Sequence, residues 1–392
     1  MIEQQRAAAR SAAALFCAYF ALIGVLSPYL SLYLSERGMS IVQIGVLMSL
    51  PQALRIVGPP FWGWAVGHLA GEAALLRVAA VGATLSVAAL AMADGFAGLA
   101  ATLLALCFAT SGIVPIGEAI TLRAVGGDPG RYGRVRMWGS IGFIAAVAVA
   151  GPVLDRYGLR LLPACLLALT LALAAITLRL PAQAPTIRTA GRARLRQRLR
   201  EPAVAAFFVS SLLMIFAHAG LYTFYSLYLE RHGFSRSAIG LMWATGVLAE
   251  IALFFGQRPL FARFGPMRLL SFSFAVCAVR FGLIAASGGH VGALVAAQLL
   301  HAVTYGLHQS AAMALLHRWF EGPGQARAQA AYIVASYGIG GTTGGLAAAW
   351  VWQQVSPAAV FGWSAGVAVA GWGVVAVCRR FDYAFARAGA AR

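Results

Sequence analysis

Ser31-Leu32-Tyr33-Leu34 recurs 195 residues later as Ser226-Leu227-Tyr228-Leu229. The same offset pairs Gly38 with Gly233, Ser40 with Ser235, and Ile44-Gly45 with Ile239-Gly240. Each copy leaves one apolar run, crosses a short connection and enters the next. A repeat of this size marks two copies of one structural unit. Both copies run in the same sense, so the halves are expected to be parallel repeats related by an axis along the membrane normal. The offset also maps Arg55 onto Glu250, opposite charges at equivalent depths of the two second helices.

Composition agrees with a membrane protein. Of 392 residues 60% are apolar and 11% charged, with a mean hydropathy of +0.78. Soluble proteins are roughly 45–50% apolar and about 25% charged. A cytoplasmic enzyme and a disulfide-stapled secreted domain are thereby excluded. The formal charge of +18 does not indicate nucleic acid: all 30 basic residues are arginines, and they lie between apolar runs rather than on one face or tail. Cys17, Cys107, Cys165, Cys277 and Cys378 lie in or beside apolar stretches without metal or redox spacing, and read as small buried hydrophobes.

A hydrocarbon core of about 30 Å needs roughly 20 apolar residues per helix. Twelve such runs fall at 11–34, 41–67, 75–93, 97–121, 135–154, 160–180, 203–229, 237–259, 268–287, 291–317, 326–350 and 357–378. They are continuous rather than alternating, so they predict helices and not barrel strands. The first run is too long for the apolar stretch of a signal peptide. With a cytoplasmic N-terminus the outer face receives only Arg37, Arg156, Arg160, Arg231 and Arg236; Arg55 and Arg280 fall inside the membrane, and the other 23 arginines face the cytoplasm. Arginine-rich short loops stay inside, which puts both termini there. The expected organisation is a six-helix bundle over 1–180, a basic cytoplasmic linker over 181–202 that touches anionic lipid, and a second six-helix bundle over 203–392.

A charge at a helix centre costs on the order of 2.5–3.5 kcal/mol, and ionisable groups kept there line pathways. The chain keeps Arg55, Glu118, Glu250 and Arg280 at that depth, with Arg136 near the inner end of the fifth run. Helix-locking salt bridges would use the same residue types, but apolar replacements serve that purpose as well. Glu250 has Trp243, Gly246 and Phe254 within two turns. A carboxyl that alternates between such apolar company and the guanidinium of Arg280 is a workable proton carrier. His301, Thr304 and His308 share one face of the tenth run, as His218, Tyr222 and Tyr225 do in the seventh. His218 and His301 read as pathway-lining, whereas His308 reads equally well as a packing residue. There is no phosphate-binding loop and no His-Glu-x-x-His, so neither ATP-driven transport nor intramembrane zinc proteolysis finds support. The GxxxG runs within 335–345 and 362–373 are common helix-packing devices.

Tyr132-Gly133-Arg134-Val135-Arg136-Met137-Trp138-Gly139-Ser140-Ile141-Gly142-Phe143 resembles the start of helix five in the lactose permease branch of the major facilitator superfamily. It is more similar still to the 3-phenylpropionate permease group. Ala217-His218-Ala219, Val247-Leu248-Ala249-Glu250, Val279-Arg280 and Leu300-His301 extend the resemblance over nearly the whole chain. It implies that Glu118 and Arg136 match the carboxylate–arginine pair that binds sugar in lactose permease, and that Phe143 stands where that protein stacks the sugar on a tryptophan. It likewise implies that Glu250, Arg280 and His301 match groups serving binding and proton coupling. The pattern departs at Thr304, where the relative has its proton-releasing glutamate, at Gln298, where it has a lysine, and at Tyr222, where it has an aspartate. The loop from Gly63 to Arg77 lacks the superfamily's Asp-Arg-x-Gly pattern.

Residues and resemblance together predict an all-α integral membrane protein of major facilitator type, not an enzyme, with twelve transmembrane helices in a bacterial inner membrane. The expected activity is proton-coupled symport of a small aromatic or organic acid by alternating access, driven by the proton gradient without cofactor or metal. The expected partners are the substrate, protons and membrane lipid, with a monomer as the working unit. Arg136 and Arg55 are the expected carboxylate anchors, because guanidinium offers a bidentate fork. Phe143, Tyr222 and His218 are expected to hold the ring, and Glu118 to accept a hydrogen bond or position Arg136. Glu250, tuned by Arg280 and His301, is the expected proton site. Two alternatives stay open: a sugar or nucleoside symporter using Glu118, Arg136 and Phe143, and drug efflux by proton antiport, for which Gly151-Pro152 is a partial match to the helix-five motif of efflux members.

Overall fold

The computed structural model describes residues 2–126, 128–180, 198–320 and 323–390; among them the regular elements are all helices and no strand occurs. In chain order they are α1 Ile2–Glu36, α2 Ile41–His68, α3 Glu72–Met92, α4 Gly95–Thr110, α5 Ile113–Ala124, α6 Pro129–Tyr157, α7 Leu162–Leu178, α8 Pro202–Arg231, α9 Arg236–Ala286, α10 Val291–Leu299, α11 His308–Trp319, α12 Pro323–Tyr332, α13 Gly341–Gln354 and α14 Pro357–Ala390. Ten helical spans are long and apolar enough to cross a membrane. One of them, α9, runs for 51 residues with a break at Gly265 (φ 72°) and takes up both the eighth and the ninth expected runs. The eleventh run falls on α12 and α13, which a π-helical segment at Ile333–Gly340 joins. The chain thus adopts the twelve-helix, two-repeat membrane plan. Residues 181–197, most of the expected linker, lie outside the described residues.

Local chemistry explains the helix ends. Ser40 and Gln43 form a capping box at the start of α2: Ser40 Oγ accepts from the Gln43 N–H at 3.3 Å, and Gln43 Oε1 accepts from the Ser40 N–H at 2.9 Å. α6 starts on Asp128, which accepts from the N–H groups of Arg131 and Gly130, with Pro129 at the first helical position. Those backbone donors, Arg131 first, hold the exposed Asp128 carboxyl below the usual carboxylate range. α4 and α5 form one span broken at Ser111-Gly112, where the Trp62 ring fills the space a Cβ on Gly112 would need. Trp62 Nε1 donates to the Phe108 carbonyl there at 3.0 Å.

The chain divides into two compact units. The first comprises Met1–Arg188 together with Leu229–Ala244, and the second Thr189–Tyr228 together with Thr245–Arg392. In the first, α1 and α6 meet backbone to backbone, because a Cβ on Gly24 would stand 2.7 Å from the Phe143 carbonyl oxygen. Glu72 in the first turn of α3 pairs with Arg123 in the last turn of α5, each charge on the helix end that favours it. The outlying segment Leu229–Ala244 is held by Asp155, whose carboxylate accepts from the N–H of Arg236 (2.8 Å) and of Ser237 (2.9 Å). The Tyr29 hydroxyl adds a bond to the Arg236 carbonyl at 3.1 Å.

In the second unit α8 lies against α13 with similar closeness. A Cβ on Gly340, the last residue of the π-helical segment, or on Gly344 would stand 2.6 Å from the Leu212 carbonyl or 2.5 Å from that of Phe216. One end of the unit is fixed by Arg318, whose Nη2 reaches both oxygens of Asp382 at 2.5 and 2.6 Å, and by Trp319 Nε1, which donates to the same carboxylate at 3.2 Å. Many large apolar side chains, among them Met92, Leu178, Phe255 and Trp350, remain exposed on the helices, as a lipid-facing surface requires.

Candidate functional site

Each unit carries its own cluster of intramembrane polar groups. In the first, Cζ of Arg136 stands 4.2 Å from the centroid of Phe20 and 5.3 Å from that of Phe16. Both rings come from α1, one turn apart, so the guanidinium is cradled by π faces. Glycine at 139 makes this possible: a Cβ there would stand 2.7 Å from the Phe20 ring and 2.8 Å from Arg136 Nη1. Glu118, on α5, takes a hydrogen bond from the Tyr132 hydroxyl and feels the charge of Arg136 at longer range. Tyr19 feels both Arg55 and Arg136, which brings the two expected anchors into one electrostatic neighbourhood. Arg55 itself is exposed on α2, and Phe143 is buried with its backbone in the α1–α6 seam.

The second unit centres on Arg280 of α9, which is fully buried. Its Nε donates to the Ala297 carbonyl at 2.9 Å and its Nη2 to Gln298 Oε1 at 3.0 Å. Its Nη1 donates to Thr304 Oγ1 at 2.9 Å and meets His218 Nε2 at 3.3 Å. Every one of these acceptors is uncharged. Gln298 and Thr304, the two departures from the lactose permease pattern, are therefore direct ligands of the buried guanidinium. Glu250, also on α9, lies beside His301, with Oε1 3.6 Å from Nε2. Its Cγ is 3.5 Å from the place a Cβ on Gly306 would take.

Four rings gather around this centre. His301 and Tyr305 stack with centroids 5.3 Å apart and planes 13° from parallel. His218 lies 6.3 Å from His301 and 6.2 Å from Tyr305, while Tyr222 lies 6.5 Å from His218 and 6.2 Å from Tyr305. The backbone responsible is π-helical at Ala302–Leu307, between α10 and α11. The wider i→i+5 turn narrows the angle between consecutive side chains. Thr304 and Tyr305 therefore both face inward, one to Arg280 and one to His301. The π-helical segment Ile333–Gly340 does the same for buried Ser336 and Tyr337. Tyr337 meets the Tyr305 hydroxyl at 3.3 Å and Gln309 Oε1 at 3.1 Å, and Tyr332 donates to Gln309 at 2.9 Å.

The structure thus gathers His218, Tyr222, Glu250, Arg280 and His301 in one unit, and Arg55, Glu118, Arg136 and Phe143 in the other. His308, on the same expected face as His301, packs instead through Nδ1 on Ser273 at 3.1 Å and edge-on to Phe274. Tyr225 packs edge-on to Phe361 while its side chain interacts with Gln298 and Arg280 at the centre of the cluster. Tyr305, Tyr337 and Gln309, and Phe16, Phe20 and Tyr132 around Arg136, escaped the sequence reading. One signal for the tyrosines was present: Thr304-Tyr305-Gly306 is echoed by Ser336-Tyr337-Gly338.

The sequence profile of the MFS_1 like family matches residues 10–363. The chain belongs to the MFS_1 like family. Membership makes it a secondary transporter of the major facilitator type and not an enzyme. Among family relatives, a probable 3-phenylpropionic acid transporter of Escherichia coli (strain K12) is 29% identical over 303 residues, 75% of this chain and 78% of that protein. A maltose permease of Geobacillus stearothermophilus is 30% identical over 270 residues, 68% of each chain. In fold, the chain matches the crystal structure of the nucleoside transporter NupG with a TM-score of 0.81 at 17% identity, covering 95% of this chain and 98% of that one.

Proposed function

We propose that the protein carries a small aromatic or other organic acid across a bacterial inner membrane together with protons, by alternating access. The observation that carries this reading is the ring cage of His218, Tyr222, His301 and Tyr305 beside a buried guanidinium, Arg280, and a carboxyl, Glu250. An aromatic acid needs those three things: faces on which its ring stacks, positive potential for its carboxylate, and a group that gains and loses the accompanying proton. Arg136 and Arg55 supply positive charge in the first unit, with Glu118 and Tyr132 positioning Arg136 and Phe143 adding apolar surface. In the second unit His218 and Tyr222 hold the ring, and Glu250, beside His301 and tuned by Arg280, carries the proton. The proton gradient is the energy source, the monomer is the working unit and both termini lie in the cytoplasm. The name of the Escherichia coli relative supports an aromatic acid as cargo.

A second reading, a sugar in place of the acid, is favoured by the 30% identity to maltose permease and uses Glu118, Arg136 and Phe143. One experiment separates the two. De-energised vesicles containing the protein are given 3-phenylpropionate and, in a separate trial, maltose, while external pH is followed. Alkalinisation with the acid supports the first reading and alkalinisation with maltose the second. No pH change with 3-phenylpropionate, when maltose produces one, overturns the first.

A further inference from the structure

We infer that Tyr305, aimed by its π-helical turn and braced by Tyr337, is the residue that selects an aromatic ring in the cargo over a saturated ring of the same size. The inference rests on the proposed cage but goes beyond it, because it assigns discrimination to one side chain. Tyr305 is the hub: its ring is within 6.4 Å of His218, Tyr222, His301 and Tyr337, parallel to one and inclined to the other three. Aromatic rings gain from face-to-edge and offset-stacked contacts that do nothing for a cyclohexyl group, so a cargo ring that meets Tyr305 is rewarded only if it carries a π quadrupole. The brace is equally specific. The Tyr337 hydroxyl bridges Tyr305 and Gln309, which also receives Tyr332, so the ring's far end is tied to Gln309 one turn along its own span and to two tyrosines of the following one.

The backbone argues the same way. A π-turn is a rare departure from the α-helix that concentrates at functional sites. Here it occurs twice, each time at a hydroxyl residue, a tyrosine and a glycine in sequence, and the two tyrosines so placed touch one another.

The test uses the full chain in detergent and measures Kd for 3-phenylpropionate and 3-cyclohexylpropionate, and for the neutral pair phenyl and cyclohexyl glucoside. The wild type is expected to prefer the phenyl member of the pair it binds by about 3- to 10-fold. Tyr305→Leu is expected to bring that ratio to about 1. Tyr305→Phe retains the preference, and Tyr337→Phe reduces it in part. An undiminished ratio in Tyr305→Leu, or no phenyl preference in the wild type with either pair, overturns the inference. A preference confined to the glucosides and lost in Tyr305→Leu upholds it while the acid reading falls.

Discussion

Nη1 of Arg280 meets Nε2 of His218 at 3.3 Å, and a guanidinium only donates. His218 Nε2 therefore offers its lone pair, and the ring proton sits on Nδ1, which faces the Met214 carbonyl at 2.9 Å. The hydrogen-bond network alone fixes this tautomer. Arg280→Met is expected to strip a buried donor from Thr304, Gln298 and His218 at once, at a cost of about 3 kcal/mol. Arg280→Lys is expected not to restore uptake, because an ammonium cannot span the same fork of acceptors. Thermal melting in detergent and uptake in vesicles check both.

Glu250→Gln keeps the shape of the side chain and removes its capacity to ionise. The expected outcome is loss of concentrative, proton-driven uptake with exchange of labelled for unlabelled substrate retained. Normal accumulation by this variant under an imposed proton gradient would take the proton role away from Glu250.

Asp155 caps the first turn of α9 from another helix, where the equivalent helix in the first repeat caps itself. Ser235 supplies half of a capping box by accepting from Ala238 N–H at 3.2 Å, but alanine stands where the first repeat has Gln43. Asp155→Ala is expected to cost about 0.5–1 kcal/mol and to speed amide exchange at residues 236–239. Adding Ala238→Gln rebuilds the box and is expected to recover a good part of that protection. Equal exchange in the single and double variants would remove this account.

Gly344→Ala is expected to destabilise by about 1–3 kcal/mol, because the new methyl meets the carbonyl of Phe216, which cannot move aside. Gly362→Ala, in the other GxxxG run, has open space and is expected to be neutral or slightly stabilising. Melting temperatures of the two variants make the comparison.

These contrasts mark what was legible in the sequence. Apolar run length measures hydrocarbon thickness, so the spans were readable, but the helices outrun it: α1 extends over 35 residues and α9 passes Gly265 without ending. The 195-residue offset gave the repeat. Identical GxxxG spacing hid the difference between Gly344 and Gly362, because spacing says nothing of what lies opposite. The α-helical period placed His301 and His308 on one face, and the π-turn between them separated their surroundings. No propensity distinguishes a π-turn from an α-turn, so Tyr305 and Tyr337 stayed out of view despite their matching neighbours. Nothing in the sequence of α1 marks Phe16 and Phe20 as the rings on which Arg136 rests.

The first compact unit is not continuous in the chain. It takes in Leu229–Ala244, held by Asp155 and Tyr29, after some forty intervening residues assigned to the second unit. A chain cut ahead of Leu229 therefore leaves Asp155 and Tyr29 without the Arg236 and Ser237 groups they bind, so the first half alone lacks part of the packing it has in the whole chain.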